Sequence, residues 1–462
     1  MLDEAFEILR EIGARGRCAL IVGGAVRDFL LGRPLTDVDL ATDMPLAELS
    51  SLFKTYAVGR SDKFDTVVII HGGRAFEISR FRRGVQELQG SNAAALPREN
   101  LDPVREDSAH RDFTVNSLFM GQDGNVIDFQ GGLDDLHNRV IRCVGSPHER
   151  FAEDPARILR AVRLAACLGF TIENGTAAAI TGEAPQVATV ARERIGKEIL
   201  KMASQSGAAL AAAVELMDRH GLLGLILPEI KNLQGLLQPI EWHPEGDAWE
   251  HTLAGLRSSA AADPAVNLAV LLHDVGKHPA HREVAGRHHY HGHENAGAGI
   301  VDAVARRLHL PQHLRAAIVF AVEHHMKAGR FAELRRSKRL ALLAGVHWPV
   351  LRSLALCDLA ARGDQAAVVR LEAAFREAEA DAAAERKARD GGPVISGNRI
   401  LELTGFAPGP RIGEIQRKVS EWALDNRFED RERIEAEVLR TAGAPPHDNS
   451  DRRGGRRHDE FP

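Results

Sequence analysis

The sequence predicts an α+β protein, with a small mixed-sheet domain at the N-terminus and helices over the rest of the chain. Two observations carry this. Short β-like runs separated by turn signals such as "HGGR" and "GQDGN" are confined to residues 1–142. From about Phe151 onward strand signals nearly vanish, and alanine-rich stretches of helical period take over. Aromatic residues are only 5% of a chain that is 44% hydrophobic, which favours helices over sheets.

The elements follow in order. Strands are expected at residues 19–22, 37–41, 66–70, 76–81 and 126–129. Between the first two, "AVRDFLL" reads as two helical turns closed by Gly32. "ARILRAVRLAACLGF" has helical periodicity and stops at Gly169. "GKEILKMA", "AALAAAVELMDRHGLL" and "LRAAIVFAVEHHM" are further helices. A chain of 462 residues exceeds one core. Domains are expected over 1–142, 143–240, 241–360 and 361–444, with a polar, Pro/Gly-rich disordered tail over 445–462.

The net charge is −5, yet arginine is plentiful and patchy, which leaves room for a local basic groove. Cys18, Cys143, Cys167 and Cys357 lie far apart in apolar contexts without paired metal spacing, and are read as free thiols in a reducing compartment. The first 20 residues show no signal-peptide pattern, and no apolar run approaches membrane-helix length. A soluble, cytoplasmic protein that does not engage a membrane is expected.

The first chemical constellation is "GGAVRDFLLGRPLTDVDLATD", Gly23 to Asp43. A glycine pair before a helix lets backbone N–H groups approach a phosphate. On a strand, Asp37 and Asp39 would share one face, and two carboxylates there repel unless a cation bridges them. Mg²⁺ takes carboxylate and phosphate oxygens together and suits phosphoryl or nucleotidyl transfer. Taken alone, two such acids read first as a solvated edge strand; the glycine turn one short helix earlier shifts the reading toward a metal-binding pair.

The stretch resembles the signature of the class II nucleotidyltransferases, the tRNA CCA-adding enzymes and bacterial poly(A) polymerases. Gly23, Gly24, Arg27, Asp28, Leu31, Gly32, Asp37 and Asp39 match it. Further motifs follow in order. "FEISRFR" resembles the strand with a third acid and supplies Glu77 and Arg82. "HRDFTVNSL" supplies Arg111, Asp112 and Asn116, with His110 where the family usually carries another basic residue. "DFQGGLDDL" supplies Asp128 and Gly132, and "EDPARILRAVRLAACLGF" supplies Glu153, Asp154, Arg157 and Arg160. "RERIGKEI" resembles the motif that closes the neck, so the resemblance spans residues 20–200.

It implies a polymerase-beta-like catalytic domain and a helical neck. Asp37, Asp39 and Glu77 would be catalytic, with Mg²⁺ on Asp37 and Asp39 activating the 3′-hydroxyl of an RNA primer. Gly23, Gly24, Arg27, Arg111, Asp112, Asn116, Asp154, Arg157 and Arg160 would bind the nucleotide. Asp154 and Arg157 are expected at i, i+3 on one helix face, where they would offer acceptor and donor edges to a base. By resemblance they would select CTP or ATP without a nucleic-acid template; taken alone, the pair reads first as a surface i, i+3 salt bridge.

The second constellation is "HPEGDAWEHTL…LLHDVGKH…HGHENAG…EHH…CDLAARGD". A His–Asp pair inside an apolar helix pattern is costly unless coordinated or hydrogen-bonded. His251, His273, Asp274 and Asp358 resemble the ligand pattern of HD-domain phosphohydrolases. His293 and either His324 or His325 would be added ligands, and Lys277 also matches. This implies a site for a divalent transition metal or Mg²⁺, with phosphodiesterase or phosphatase activity. "HPEGDAWEHTL" and "GFAPGPRIGEI" extend the likeness to HD-bearing CCA-adding enzymes to about residue 440.

The expected function is therefore completion or repair of the 3′-CCA end of tRNA from CTP and ATP. Poly(A) polymerase is the alternative of the same chemistry, as is a CC-adding or A-adding enzyme. The loop between Arg82 and Arg111 bears on the last choice. An HD phosphohydrolase with an RNA-binding N-terminal domain is the alternative of another class. "FRRG", "ELRRSKRLALL" and the tail arginines are candidate contacts to the tRNA acceptor stem.

Overall fold

A computed structural model describes residues 1–57, 66–81, 101–238, 246–388, 393–426 and 430–443. Arg82, most of "FRRG", the tail arginines and the expected tail of 445–462 lie outside the described residues. Two compact units are present. One comprises Met1–Leu236, Ser259–Asn267 and Asp302–Gln312, the other Leu237–Ser258, Leu268–Val301 and the chain from His313.

The first unit is organised by a seven-stranded sheet of order β3-β4-β5-β2-β1-β6-β7. Its strands are β1 (Ala19–Val22), β2 (Asp39–Thr42), β3 (Thr55–Ala57), β4 (Thr66–His71), β5 (Arg74–Arg80), β6 (Leu118–Met120) and β7 (Val126–Asp128). β2 and β5 run parallel and the other neighbours antiparallel, so the sheet is mixed as the sequence predicts. Leu20 and Val22 of β1, Ala41 of β2 and Phe119 of β6 are buried with Phe81 and Val104 on one face. A one-residue slip would turn these side chains to the opposite face, so their burial specifies the register. That register sets Leu40 beside Ile78, and by one further step Asp39 beside Glu77.

Helices α1 (Leu2–Ala14), α2 (Gly24–Leu30), α3 (Leu46–Leu52), α4 (Asp102–Ala109) and α5 (Gly132–His137) accompany the sheet. After strand β8 (Val140–Ile141) come α6 (Pro147–Glu153), α7 (Ala156–Leu168), strand β9 (Thr171–Ile172), α8 (Asn174–Glu183), α9 (Arg192–Ala203), α10 (Gly207–Arg219), α11 (Leu223–Ile226) and α12 (Pro228–Lys231). One face of α7 buries Ile158, Leu159, Ala161, Val162, Leu164 and Ala165. Arg157, Arg160 and Arg163, spaced by three, line the cavity on the other.

The second unit contains α13 (Ala248–Ser258), the end of α14 (Pro264–Leu272), α15 (Lys277–Ala280), the hairpin β10 (Arg282–Val284) and β11 (Arg287–His289), and the start of α16 (His293–Arg307). α17 (Gln312–Gly329), α18 (Arg336–Leu343), α19 (Trp348–Ala361) and α20 (Gln365–Ala388) follow. α21 (Gly397–Thr404), α22 (Pro410–Asn426) and α23 (Arg431–Ala442) close over Ile400, Ile412, Ile415, Val419 and Val438. No single helix among the described residues is long and apolar enough to cross a membrane.

Three expectations need correction. The strand expected over 37–41 runs Asp39–Thr42, so Asp37 precedes it and the strand period does not pair the two acids. His273 and Asp274 lie in the turn after α14, which ends at Leu272, and not within a helix. The helical region also carries the hairpin β10–β11, whose turn is made by Ala285 and Gly286, both at positive φ. Its strands, "REV" and "RHH", lack the apolar alternation by which a strand is read from sequence.

Candidate active site and metal centre

Asp37, Asp39 and Glu77 line a cavity of about 1140 Å³ in the first unit, together with Gly23, Gly24, Arg27, Arg111, Asp112, Asn116, Asp154, Arg157 and Arg160. All twelve residues expected at the nucleotidyltransferase site thus meet in one cavity. Its size lies at or above the range of about 300–1,000 Å³ usual for one small ligand. Desolvation of a carboxylate that is still open to the cavity, then the Glu77 and Asp37 carboxylates, push the Asp39 carboxyl up to about 6. Arg111 and Lys201 pull it the other way. An acid whose ionisation is opposed by two neighbouring carboxylates forms with them a donor set suited to a divalent cation, which relieves the repulsion.

Behind the carboxylates a hydrogen-bonded chain crosses the cavity wall. Arg27 donates Nε and Nη2 to the two oxygens of Asp28 at 2.9 and 2.8 Å, and Nη1 to Asn116 Oδ1 at 2.6 Å. Asn116 Nδ2 donates to Asp112 Oδ1 at 3.3 Å, and Arg160 Nη1 donates to Asp112 Oδ2 at 2.7 Å. Burial works to raise the pKa of Asp112, but Arg160, the Phe113 N–H and Asn116 hold its carboxyl below the usual carboxylate value. Arg111 lies over the Phe119 ring and pairs with Asp107 at 2.7 Å. Gly23, at positive φ, begins the turn into α2, and a Cβ there would lie 3.2 Å from Arg111 Nη1. Asp112 and Asn116 thereby orient the arginines rather than facing a ligand alone.

Asp154 and Arg157 do not share a helix. Asp154 sits in the break between α6 and α7, and its Oδ1 accepts from the Ala156 N–H at 3.2 Å. Its Oδ2 is bonded at 2.7 Å by Arg194 Nη2, from α9. Arg157 Nη1 donates to Glu153 Oε2 at 2.7 Å and to the Arg150 carbonyl at 3.0 Å. The i, i+3 pair is thus two separate ion pairs, each edge oriented by a different neighbour. Arg194, Arg163 and Lys201 were not singled out from the sequence. The spacing 157, 160, 163 signals Arg163, and the matched motif "RERIGKEI" signals α9 itself but not which of its side chains reach the cavity.

Two matched motif residues are structural. Asp128 accepts the Gln130 and Leu133 N–H groups at 3.0 and 2.9 Å. Gly132 is packed so closely that a Cβ would lie 2.2 Å from the Thr114 carbonyl oxygen. Of "ELRRSKRLALL", Arg336–Leu343 form α18, whose first residues line a cleft with Lys418 and Trp422.

In the second unit, two groups of three side chains could each hold a metal ion: His251, His273 and Asp274, and Asp274, His293 and His325. All five are buried. Asp358 joins through Oδ1, 3.0 Å from His251 Nε2. His273, His293 and His325 each turn Nδ1 to a backbone carbonyl, of Val270, Tyr290 and Val322, at 2.8, 2.9 and 2.6 Å. That bond places the proton on Nδ1 and leaves the Nε2 lone pair for a ligand. His273 Nε2 is buried and lies 3.2 Å from Asp274 Oδ2. Burial works to raise the pKa of Asp274, but His273, Lys277 and His293 hold it well below the usual value. Burial, aided by His273 and His293, pushes the His325 imidazole down to about 3. The donor set fits a divalent ion, and Asp274 is the residue the two groups share. His324 instead stacks edge-on against Phe320.

With this geometry, the comparisons are specific. A family described as "Poly A polymerase head domain" matches residues 19–142, and one described as "Probable RNA and SrmB- binding site of polymerase A" matches residues 169–234. A multifunctional CCA protein of Alkalilimnicola ehrlichii is 34% identical over 71% of this chain and 78% of its own length. An A-adding tRNA nucleotidyltransferase of Deinococcus radiodurans is 32% identical over 87% of this chain and 91% of its own. A crystal structure of the Bacillus stearothermophilus CCA-adding enzyme in complex with CTP superimposes with a TM-score of 0.69, at 26% identity, over 95% of this chain and 97% of that one. The chain belongs to the tRNA nucleotidyltransferases, the enzyme family of the CCA-adding proteins.

Proposed function

We propose that this protein completes or repairs the 3′-CCA end of tRNA from CTP and ATP, without a nucleic-acid template. The observation that carries this is the union, in one cavity, of the carboxylates Asp37, Asp39 and Glu77 with the acceptor of Asp154 and the donors of Arg157. Mg²⁺ held by Asp37 and Asp39, with Glu77 beside them, would acidify the primer 3′-hydroxyl and neutralise charge at the α-phosphate. The primer 3′-hydroxyl gives its proton to solvent, its oxygen bonds to the α-phosphorus, the bond from that phosphorus to the bridging oxygen of the β-phosphate breaks, and pyrophosphate leaves. Gly23, Gly24, Arg27 and Arg111 bind the triphosphate, with Arg27 held rigid by Asp28 and Asn116. Asp154 accepts from the exocyclic amino group of the base and Arg157 donates to its ring nitrogen. The setting is the cytoplasm.

The test uses tRNA transcripts ending before the first C, after one C and after two, each with labelled CTP or ATP. Ordered addition of C, C and A is expected. Extension of the last transcript alone, by A, would favour the second reading, an A-adding enzyme, which the long match to the Deinococcus protein supports. Long adenosine tails would indicate a poly(A) polymerase, and no incorporation from any transcript would overturn the assignment.

The histidine-rich centre supports a second, metal-dependent phosphohydrolase activity of HD type, on a divalent transition metal or Mg²⁺ bound by His251, His273, Asp274 and Asp358. The buried His273 Nε2, 3.2 Å from Asp274 Oδ2 in a cluster of ligand-type side chains, is its most direct support. Asp37→Ala should abolish incorporation and spare phosphoester hydrolysis, and Asp274→Ala should do the reverse. Loss of both activities from either change would refute two independent centres. Hydrolysis without incorporation would favour the phosphohydrolase alone.

A further inference from the structure

We propose that the hairpin β10–β11 carries a divalent transition-metal site of its own, in which His281 and His288 clip the two strands together and Glu283 supplies a third ligand. The site is separate from the buried histidine-rich centre, and it does not rest on the activity proposed for that centre or for the nucleotide cavity.

The hairpin lacks the usual means of holding two strands together. Each strand is three residues long, and Arg282, Glu283 and Val284 are all exposed. Val284 is the one aliphatic residue of the two strands, and it is 60% exposed, so they share no apolar face. A lone two-stranded hairpin is marginal in water. The turn adds strain, because Ala285 is held in the left-handed region at φ +51°. A structural metal is one way a unit without a core is fixed.

Cross-strand pairing sorts the side chains by face. Arg282 lies opposite His289 and Val284 opposite Arg287, while Glu283 lies opposite His288. Residues opposite one another share a face, and neighbours along a strand alternate. Glu283 and His288 are therefore on one face and the cations Arg282 and Arg287 on the other. One step beyond the ladder, His281 and Tyr290 continue the face of Glu283. Their rings agree with this: His281 stacks with His288 and with Tyr290, at 5.2 and 5.4 Å between centroids.

His281 Nε2 and His288 Nδ1 face each other across the hairpin at 2.9 Å. As a hydrogen bond this contact uses one N–H and one lone pair; with both nitrogens unprotonated, two lone pairs converge. Two imidazole nitrogens on a tetrahedral ion, each about 2.0–2.1 Å from it, lie about 3.3 Å apart, so the rings have to part by only about 0.4 Å. Both side chains are only half-buried and can make that shift. The exposed Glu283 carboxylate can turn toward the same ion from beside His288. Two imidazoles, a carboxylate and water form a four-coordinate set suited to zinc, copper or nickel rather than magnesium.

The site borders the buried centre without sharing a ligand with it. His288 and Tyr290 line the cavity of about 860 Å³ that also reaches Asp274, His325 and Asp358. Lys277 Nζ lies over the Tyr290 ring and 2.6 Å from Asp274 Oδ2. A clipped hairpin thus fixes one wall of that cavity.

The experiment counts Zn²⁺ bound to the full chain by equilibrium dialysis against the metal alone. Joint substitution His281→Ala and His288→Ala is expected to lower the count by one ion per chain. In Asp274→Ala, which breaks both buried ligand groups, one ion should remain, and the joint substitution should remove it. Glu283→Gln should weaken that ion by roughly tenfold or more, since even groups one shell beyond the ligands are worth that much. His289→Ala with His291→Ala, the other stacked pair, should leave the count unchanged. Amide hydrogen exchange over residues 281–290 should slow when Zn²⁺ is added to wild type, and should not respond in the His281, His288 variant.

An unchanged count in the His281, His288 variant, loss of the ion from the His289, His291 variant instead, or hairpin exchange indifferent to Zn²⁺ in wild type would overturn the proposal. Unchanged affinity in Glu283→Gln would overturn its third ligand. If the alanine pair shows no cooperative thermal transition, His281→Gln with His288→Gln is held to the same readouts.

Discussion

Gly132→Ala offers a direct measure of how tightly the catalytic unit is packed behind its site. A Cβ at residue 132 would lie 2.2 Å from the Thr114 carbonyl oxygen and 2.9 Å from its carbon. An ordinary C···O contact is about 3.3–3.6 Å, so the backbone must part by about 1 Å. It cannot do so freely. Thr114 N–H donates to the Arg142 carbonyl at 3.0 Å, and Thr114 Oγ1 donates to the buried Asp135 carboxylate at 2.7 Å. Overpacking of this kind costs about 1–3 kcal/mol, and the immovable neighbour argues for the upper end. At about 2–4 °C per kcal/mol for a domain of this size, the thermal midpoint should fall by roughly 6–12 °C. The adjacent Gly131 is the control. It has φ +73° and open space around a Cβ, so Gly131→Ala pays only left-handed strain of about 1 kcal/mol, or roughly 2–4 °C. Thr114 also begins the turn that carries Asn116, the partner of Arg27. Gly132→Ala should therefore weaken CTP binding in calorimetry, whereas Gly131→Ala should not. Equal midpoint shifts for the two variants, or unchanged CTP affinity in Gly132→Ala, would refute the packing argument.

Asp112 has a folded-state pKa below its unfolded value, so it contributes stability above the ordinary carboxylate range, which is lost as pH falls through the depressed value. Urea unfolding should show the gap between wild type and Asp112→Asn widest near neutral pH and closing in acid; a constant gap would contradict this. At the histidine-rich centre, a chelator followed by re-addition of a divalent ion should raise the thermal midpoint by mass action, about 2.7 kcal/mol at a hundredfold excess over Kd. His325→Ala and Asp274→Ala should abolish that shift and His324→Ala should not, because His324 packs on Phe320 rather than among the ligands.

Much of this was legible along the chain. Strand β1 occupies residues 19–22 as read, and α2 and α7 end before Gly32 and Gly169 as their patterns require. These features are local: apolar runs, a glycine at the stop and helical period are written within a few residues. The strands missed were those with little local signal. "TYA" and "LFM" are three residues long and take their identity from the strands beside them. The acids near β2 show the limit. Strand period was to pair Asp37 with Asp39, yet Asp37 lies outside the strand, and Glu77 is brought beside Asp39 by the parallel register of β2 and β5.

By itself the sequence determined which chemistry was available: carboxylates beside a glycine turn, arginines at intervals of three, and histidines and aspartates among apolar helix patterns. Such choices are made residue by residue and survive in one dimension. Tertiary structure alone decided which groups act on one another. Arg194 meets Asp154 across forty positions, and His251 meets Asp358 across more than a hundred. Charge state, orientation and ligand sharing follow from distances of about 3 Å or less. Distances of that size are set by how helices and strands pack, and no spacing along the chain encodes them.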